Sequence, residues 1–372
     1  MLCMILVSCT GQKTGKENDN NDKIAIEVGE IKFPPQDVLQ LKSYYLSSSV
    51  HVDSIDYLIG YNYRLHSLDC MNLKSKSVTQ IVLPGDGPDA IVRLSGIYAQ
   101  SLDSVWISDE SERAFLIDSV GTIKRMIDLK KYLEDQEQLL INTNYAMFTS
   151  HLFYNASRHS LMFLVKHTPS NTFIVKEVFI DEVGKMATYQ LSSSKVVPDM
   201  SKLYAYINFP NVNFVGENIV YNYPVESSIY MLDIRTNERK YILADSHYTS
   251  NIIEKCTTSG DYATLEKHWL ENSHFYDIMY LPKYKIYARL HADKVDFDEK
   301  KGMEKLINER DLYLMLFDEN MEKIGETKLS NCRYSPFTSW NATYGGIALF
   351  VDNVLDEKNN TDDLTIDIIS LK

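Results

Sequence analysis

A hairpin unit recurs along this chain, and its period constrains the fold more tightly than any other feature. Each copy is an apolar strand ending in Asp, a tight polar turn, and a second strand that leaves through Lys or Thr. The first strands end at Asp69, Asp118, Asp181, Asp233 and Asp318, and a sixth ends at Asp367 with little chain after it. The steps between these Asp residues are 49, 63, 52, 85 and 49 residues. A base step near 50 matches one four-stranded propeller blade of roughly 40–50 residues. Asp suits the end of such a strand because its carboxylate accepts from backbone N–H groups two residues on.

One blade cannot bury its own faces, so blades must stack, and a closed ring removes exposed sheet edges. The last unit stops after its third strand. An unpaired segment at 24–28 carries Ile24, Ile26 and Val28 on one face at period two, which suits a half-buried strand. The fold expected is therefore all-β: a six-bladed β-propeller closed by an N-terminal strand. The alternative is a β-sandwich, or two stacked sheets, built from similar hairpins. The two long steps mark insertions. Residues 261–270 have helical spacing, with Leu265, Trp269 and Tyr262 on one face, and predict a helix between blades 4 and 5. Residues 292–310 are a charged insertion whose Asp293, Asp296, Asp298 and Glu299 lack the Gly and terminal Glu of a calcium loop.

The N-terminus supplies an address. A short apolar stretch ends in Leu6-Val7-Ser8-Cys9, the pattern of a bacterial lipobox, in which the Cys is acylated after cleavage. The basic n-region and the longer apolar core of a secretory signal are missing, so the true initiator is expected upstream. Residues 10–22 are polar and hold no large apolar residue, which makes them a tether rather than a folded element. The expected organisation is a signal-peptide remnant at 1–8, a lipidated tether at 9–22 and the propeller at 23–372. Cys70, Cys256 and Cys332 remain, an odd number that permits at most one disulfide.

Composition closes off several functions. Acidic residues number 51 against 38 basic ones, a formal charge of −13, whereas a nucleic-acid binder needs a basic face. No catalytic elbow, zinc-protease helix or phosphate loop is present, and the His residues, among them His151, His159 and His167, are scattered. No cofactor and no metal site is expected.

The run at 61–69, Lys74, and then Leu83-Pro84-Gly85-Asp86-Gly87-Pro88-Asp89 resembles the opening blades of Bacteroidetes-type six-bladed propeller lipoproteins of unknown function, of the TolB-like and NHL-like kind. The stretch 102–109 is similar to their second blade. The resemblance implies the propeller fold and a cell-envelope location, as an outer-membrane lipoprotein on the periplasmic or surface side. It implies no catalytic residues.

In a four-stranded blade, the strand 2–3 loops and the inter-blade links share one rim, and the strand 1–2 and 3–4 turns share the other. All the long segments (84–90, 130–145, 192–211, 244–273, 292–310 and 353–363) fall on the first rim, which points to binding there. Candidate ligand residues on it are Asp86 and Asp89 beside flexible glycines, and Tyr204, Tyr206, Tyr223, Trp269 and Arg289 as an aromatic-rich set, with inter-blade packing as the other use of such residues. The leading expectation is a lipid-anchored binding module for a carbohydrate, a peptide or an envelope protein, attached to the bilayer through Cys9. The alternative is a propeller hydrolase or lyase with its site at the central channel mouth. A third reading is a structural subunit of an outer-membrane complex. Asp-Ser pairs at 53–54, 103–104 and 118–119 resemble envelope O-glycosylation acceptors.

Overall fold

A computed structural model of the chain describes residues 25–35, 41–140, 149–196, 209–256, 261–336, 338–358 and 362–372. Cys9, the tether, Tyr204 and Tyr206 lie outside the described residues.

Alternating apolar strands and short polar turns fold locally into antiparallel hairpins, and these assemble into six sheets around a ring. Blade 1 is Ser47–Val52, Ile55–Asn62, Ser67–Asn72 and Val78–Val82; blade 2 is Leu94–Ser101, Ser104–Asp109, Arg113–Ile117 and Ile123–Asp128. In blade 3 the innermost position is shared by two short pieces, Glu137–Leu139 and Phe153–Asn155, both paired with Ser160–His167, followed by Thr172–Phe179 and Met186–Gln190. Blade 4 is Asn211–Val215, Asn218–Asn222, Ile229–Asp233 and Arg239–Ile242. Blade 5 is His274–Leu281, Ile286–Ala292, Leu312–Phe317 and Lys323–Lys328.

Blade 6 is Trp340–Ala342, Ile347–Phe350 and Leu364–Leu371, completed on its outer edge by the N-terminal strand Ile26–Phe33. Ile26 lies opposite Leu371 and Phe33 opposite Leu364. The six-bladed ring and its closing strand are thus present. The anchoring residues of that strand differ from expectation. Val28 is 45% exposed, whereas Phe33 is wholly buried, packed with Tyr44, Leu58, Phe350 and Ile366. An outermost strand covers its sheet with one face only, and that face carries Ile31 and Phe33. Polar groups reinforce the closure. The Arg333 guanidinium donates to both oxygens of Asp367 (2.5 and 2.9 Å) and to Glu30 of the closing strand (2.9 Å).

The Asp repeat needs one correction. Asp118, Asp233 and Asp318 are turn residues, each accepting two backbone N–H groups of its own turn. Asp69 and Asp367 are instead buried in the middle of their strands. The blade 1 turn is made by Asn72, whose side-chain oxygen accepts from the N–H of Lys74 and Ser75. Asp69 and Asp367 match each other: each accepts a phenol, from Tyr44 (2.7 Å) and Tyr334 (2.8 Å) respectively.

The predicted helix is α1, Tyr262–Leu270, with Asp261 accepting from the Ala263 N–H at its start and Trp269 and Leu270 buried. The charged insertion holds a short helix α2, Met303–Asn308. Both occupy the face that carries the links and strand 2–3 loops. The opposite face carries the short turns, among them Asp53-Ser54, both at positive φ (49° and 61°) as a tight hairpin requires. Cys70, Cys256 and Cys332 form no disulfide with one another. Among the described residues, no helix is long and apolar enough to cross a membrane.

Candidate functional site at the central channel

The innermost strands of the six blades surround a cavity of about 460 Å³. Every one of these strands runs from an inter-blade link toward a strand 1–2 turn. Along them the lining begins at Ser47, His151, Asn213, Asp277 and Trp340 and ends at His51, Gly216, Pro282 and Tyr344. Ser47, Asp277 and Trp340 are buried whereas His51, Gly216, Pro282 and Tyr344 are exposed, so the first set forms the floor and the second the mouth. The channel opens on the short-turn face, opposite to the rim with the long loops.

The floor is a polar cluster drawn from three blades. Asp277 is 1% exposed at its side chain. One oxygen accepts the Trp340 indole N–H (3.0 Å), and the other accepts from His151 Nε2 (2.9 Å). A buried carboxylate is costly unless its lone pairs are satisfied, and the ring N–H groups of Trp340 and His151 do this here. His151 is held in one ring orientation as a consequence, with its side chain 20% exposed.

Two walls rise from this floor. On the side of blades 2, 3 and 4 the wall is aromatic: Phe153 stacks on Phe214 with centroids 4.9 Å apart, and Tyr98 meets Phe153 edge-on at 5.1 Å. On the side of blades 6 and 1 it carries hydroxyls and an amide. Asn341 donates to Ser47 Oγ (2.6 Å), Ser49 Oγ donates to the Ala342 carbonyl (2.5 Å), and Ser47 Oγ touches Ser339 Oγ. These bonds stitch inner strands that diverge too far to form a ladder. At the mouth His51 stacks on Tyr344 (4.3 Å), while the Asp56 carboxylate bonds His51 (2.7 Å) and accepts the N–H groups of Tyr344 and Gly345. Among the described residues the lining contains neither Lys nor Arg.

The residues singled out from sequence are not gathered here. Tyr223 is buried among Tyr221, Tyr230 and Phe173, and its hydroxyl donates to the Ser192 carbonyl. Trp269 is buried with its N–H directed at His274. Arg289 is fully buried, donating to the carbonyls of Ser227 and Ala244 and lying over Phe275. Burial lowers its pKa to about 9, with the nearby Glu326, Asp245 and Glu226 carboxylates pulling the other way. All three pack between blades because large aromatic and guanidinium groups fill the wedge where sheets splay. Asp86 and Asp89 are exposed on the link between blades 1 and 2. Asp86 borders an open groove with Tyr63 and Arg93, and Asp89 stands apart from it. The three Asp-Ser pairs lie at turns of the short-turn face, with Ser104 as the first residue of the strand Ser104–Asp109.

Sequence reading missed His151, Asp277, Trp340 and Asn341. Asp277, Trp340 and Asn341 stand in the first strand of a blade and His151 two residues before one, each after a connection between blades, and that position was the available signal.

Comparison with known families and structures now adds to this geometry. A model of the DUF4221 family, a domain of unknown function, matches residues 17–328. The chain belongs to the DUF4221 family. A DUF4221 member from Bacteroides vulgatus has the same architecture, with a TM-score of 0.74 at 14% identity over 95% of this chain and 99% of that one. A Bacteroides fragilis protein classed as exported is similar at a TM-score of 0.54 and 14% identity, over 94% and 97% of the two chains. These likenesses show the fold of this DUF4221 domain. No curated protein matches it.

Proposed function

We propose that this DUF4221 domain is an exported, lipid-anchored binding module whose small-molecule ligand enters the central channel from the short-turn face. The observation that carries this reading is the cavity of about 460 Å³, with an aromatic wall facing a hydroxyl wall above the His151–Asp277–Trp340 floor. Its volume falls within the roughly 300–1,000 Å³ of small-molecule sites. Six rigid sheets hold the lining in place, so little ordering cost is left for binding. Export is supported by the lipobox-like N-terminus and by the structural likeness to an exported protein.

The test is a thermal-shift screen of small metabolites against the native chain and against Ser49→Trp, which fills the channel. Ligands that raise the native Tm are expected to leave the filled variant unchanged. Equal shifts in both overturn the channel as the site.

A second reading, hydrolysis or elimination at the same channel, rests on the His151–Asp277 pair, since an imidazole oriented by a carboxylate is a competent proton carrier. Turnover of a bound ligand that His151→Gln abolishes while binding persists distinguishes it. The long-loop rim retains open grooves, one of about 680 Å³ beside α1 bordered by Lys255, Lys267 and Asp296, as a further place for a peptide or an envelope protein.

A further inference from the structure

Resting on the reading of the channel as the ligand site, we infer that its ligand is a neutral pyranose sugar, a monosaccharide or the end of a glycan. The two walls make contrary demands, and few chemical classes meet both.

The ring order of the blades places Ser47 and Ser49 of blade 1 across from Phe214 of blade 4, and Asn341 of blade 6 across from Phe153 of blade 3. An apolar ligand fitted against the aromatic rings strips water from the partly exposed Ser49 Oγ and Asn341 Oδ1 without replacing its hydrogen bonds, which costs affinity. A polar ligand without an apolar face leaves the Phe153–Phe214 surface uncovered. A pyranose has a C–H face for the rings and a rim of hydroxyls for the opposite wall. Hydroxyls both donate and accept, as the Ser and Asn groups require.

Charge narrows the class further. Among the described residues the lining has no Lys or Arg to receive a phosphate or carboxylate. The one carboxylate on the floor, Asp277, is buried and already engaged by His151 and Trp340. An anionic ligand therefore loses its hydration with no cation to replace it. The His51–Tyr344 stack at the mouth gives a second flat surface where a following sugar ring rests if the ligand is a glycan end.

The experiment is calorimetric titration of the native chain with the methyl glycosides of glucose, galactose, mannose and N-acetylglucosamine, alongside glucuronate and glucose 6-phosphate. At least one neutral glycoside is expected to bind, and both anions are expected to bind more weakly by roughly tenfold or more. Phe214→Ala and Asn341→Ala are each expected to weaken the bound glycoside by roughly tenfold. Asn341 is partly exposed, so its variant keeps the test open if the buried Phe214 change disturbs folding. No neutral glycoside binding, or binding of the anions as tight as that of the glycosides, overturns the sugar assignment. If other metabolites then bind the native chain and fail to bind Ser49→Trp, the channel stands as a site with a different ligand. If a glycoside binds Ser49→Trp as well as it binds the native chain, the channel itself is overturned.

Discussion

Tyr44 decides the geometry of blade 1 through one small neighbour. Its ring lies against Gly60, where any Cβ runs into the ring atoms, and its hydroxyl reaches across to Asp69, the residue paired with Gly60. Asn62 (2.9 Å), Gln80 (3.0 Å) and Ser67 (3.5 Å) add further neutral donors on that carboxylate, whose pKa burial raises despite them. Gly60→Ala is expected to cost about 1–3 kcal/mol through overpacking. Gly29→Ala, where the nearest atom is a backbone oxygen at 3.9 Å, is expected to stay within about 0.5 kcal/mol of the native chain. Urea melts of the two variants check this, and a Gly60→Ala midpoint equal to that of Gly29→Ala removes the packing argument. Nothing in the local sequence announces this role, because the clash is with a residue that precedes the blade's first strand. The turn residues were more legible. Asp118, Asp233 and Asp318 act within a few positions of themselves, so spacing alone reveals them.

Among the elements, the closing strand shows both the reach of pattern reading and its limit. Alternation at 24–28 and a last unit one strand short were enough to place it in blade 6. They did not reveal that Phe33 anchors it or that Arg333 ties it down, since those contacts form only once the ring is closed. Arg333→Ala removes a charge partner from Asp367, whose side chain is fully buried, while Arg333 itself remains about one-fifth exposed. The expected cost is about 2–3 kcal/mol, less than for a fully buried pair because water reaches the guanidinium. Limited proteolysis is expected to cut the variant earlier around the closing strand than the native chain. Unchanged cleavage there shows that apolar packing alone seals the ring.

Across the whole molecule, the site was illegible for a geometric reason. Its floor takes one residue from each of several blades, His151, Asp277 and Trp340, and 126 residues separate the first two. No local motif joins them, and only the ring brings them within hydrogen-bonding distance. Loop length pointed to the opposite face, because insertions follow the links and the channel opens where the turns are short. The N-terminal address belongs to this scale too. Labelling cells with an alkynyl palmitate analogue is expected to mark the native chain, while Cys9→Ser loses the mark and keeps the same thermal melt. Retention of the label by Cys9→Ser excludes acylation at that residue.

The head-to-tail seam also dictates an order of events during biosynthesis. Ser370 bonds to Glu27, 343 residues earlier, so the closing strand finds its partner only after the rest of the ring has been synthesised. At roughly 5–20 residues per second that delay lasts tens of seconds. During that interval Ile31 and Phe33 face water on an unsatisfied edge, the condition under which nascent chains recruit holdases or pair wrongly with one another.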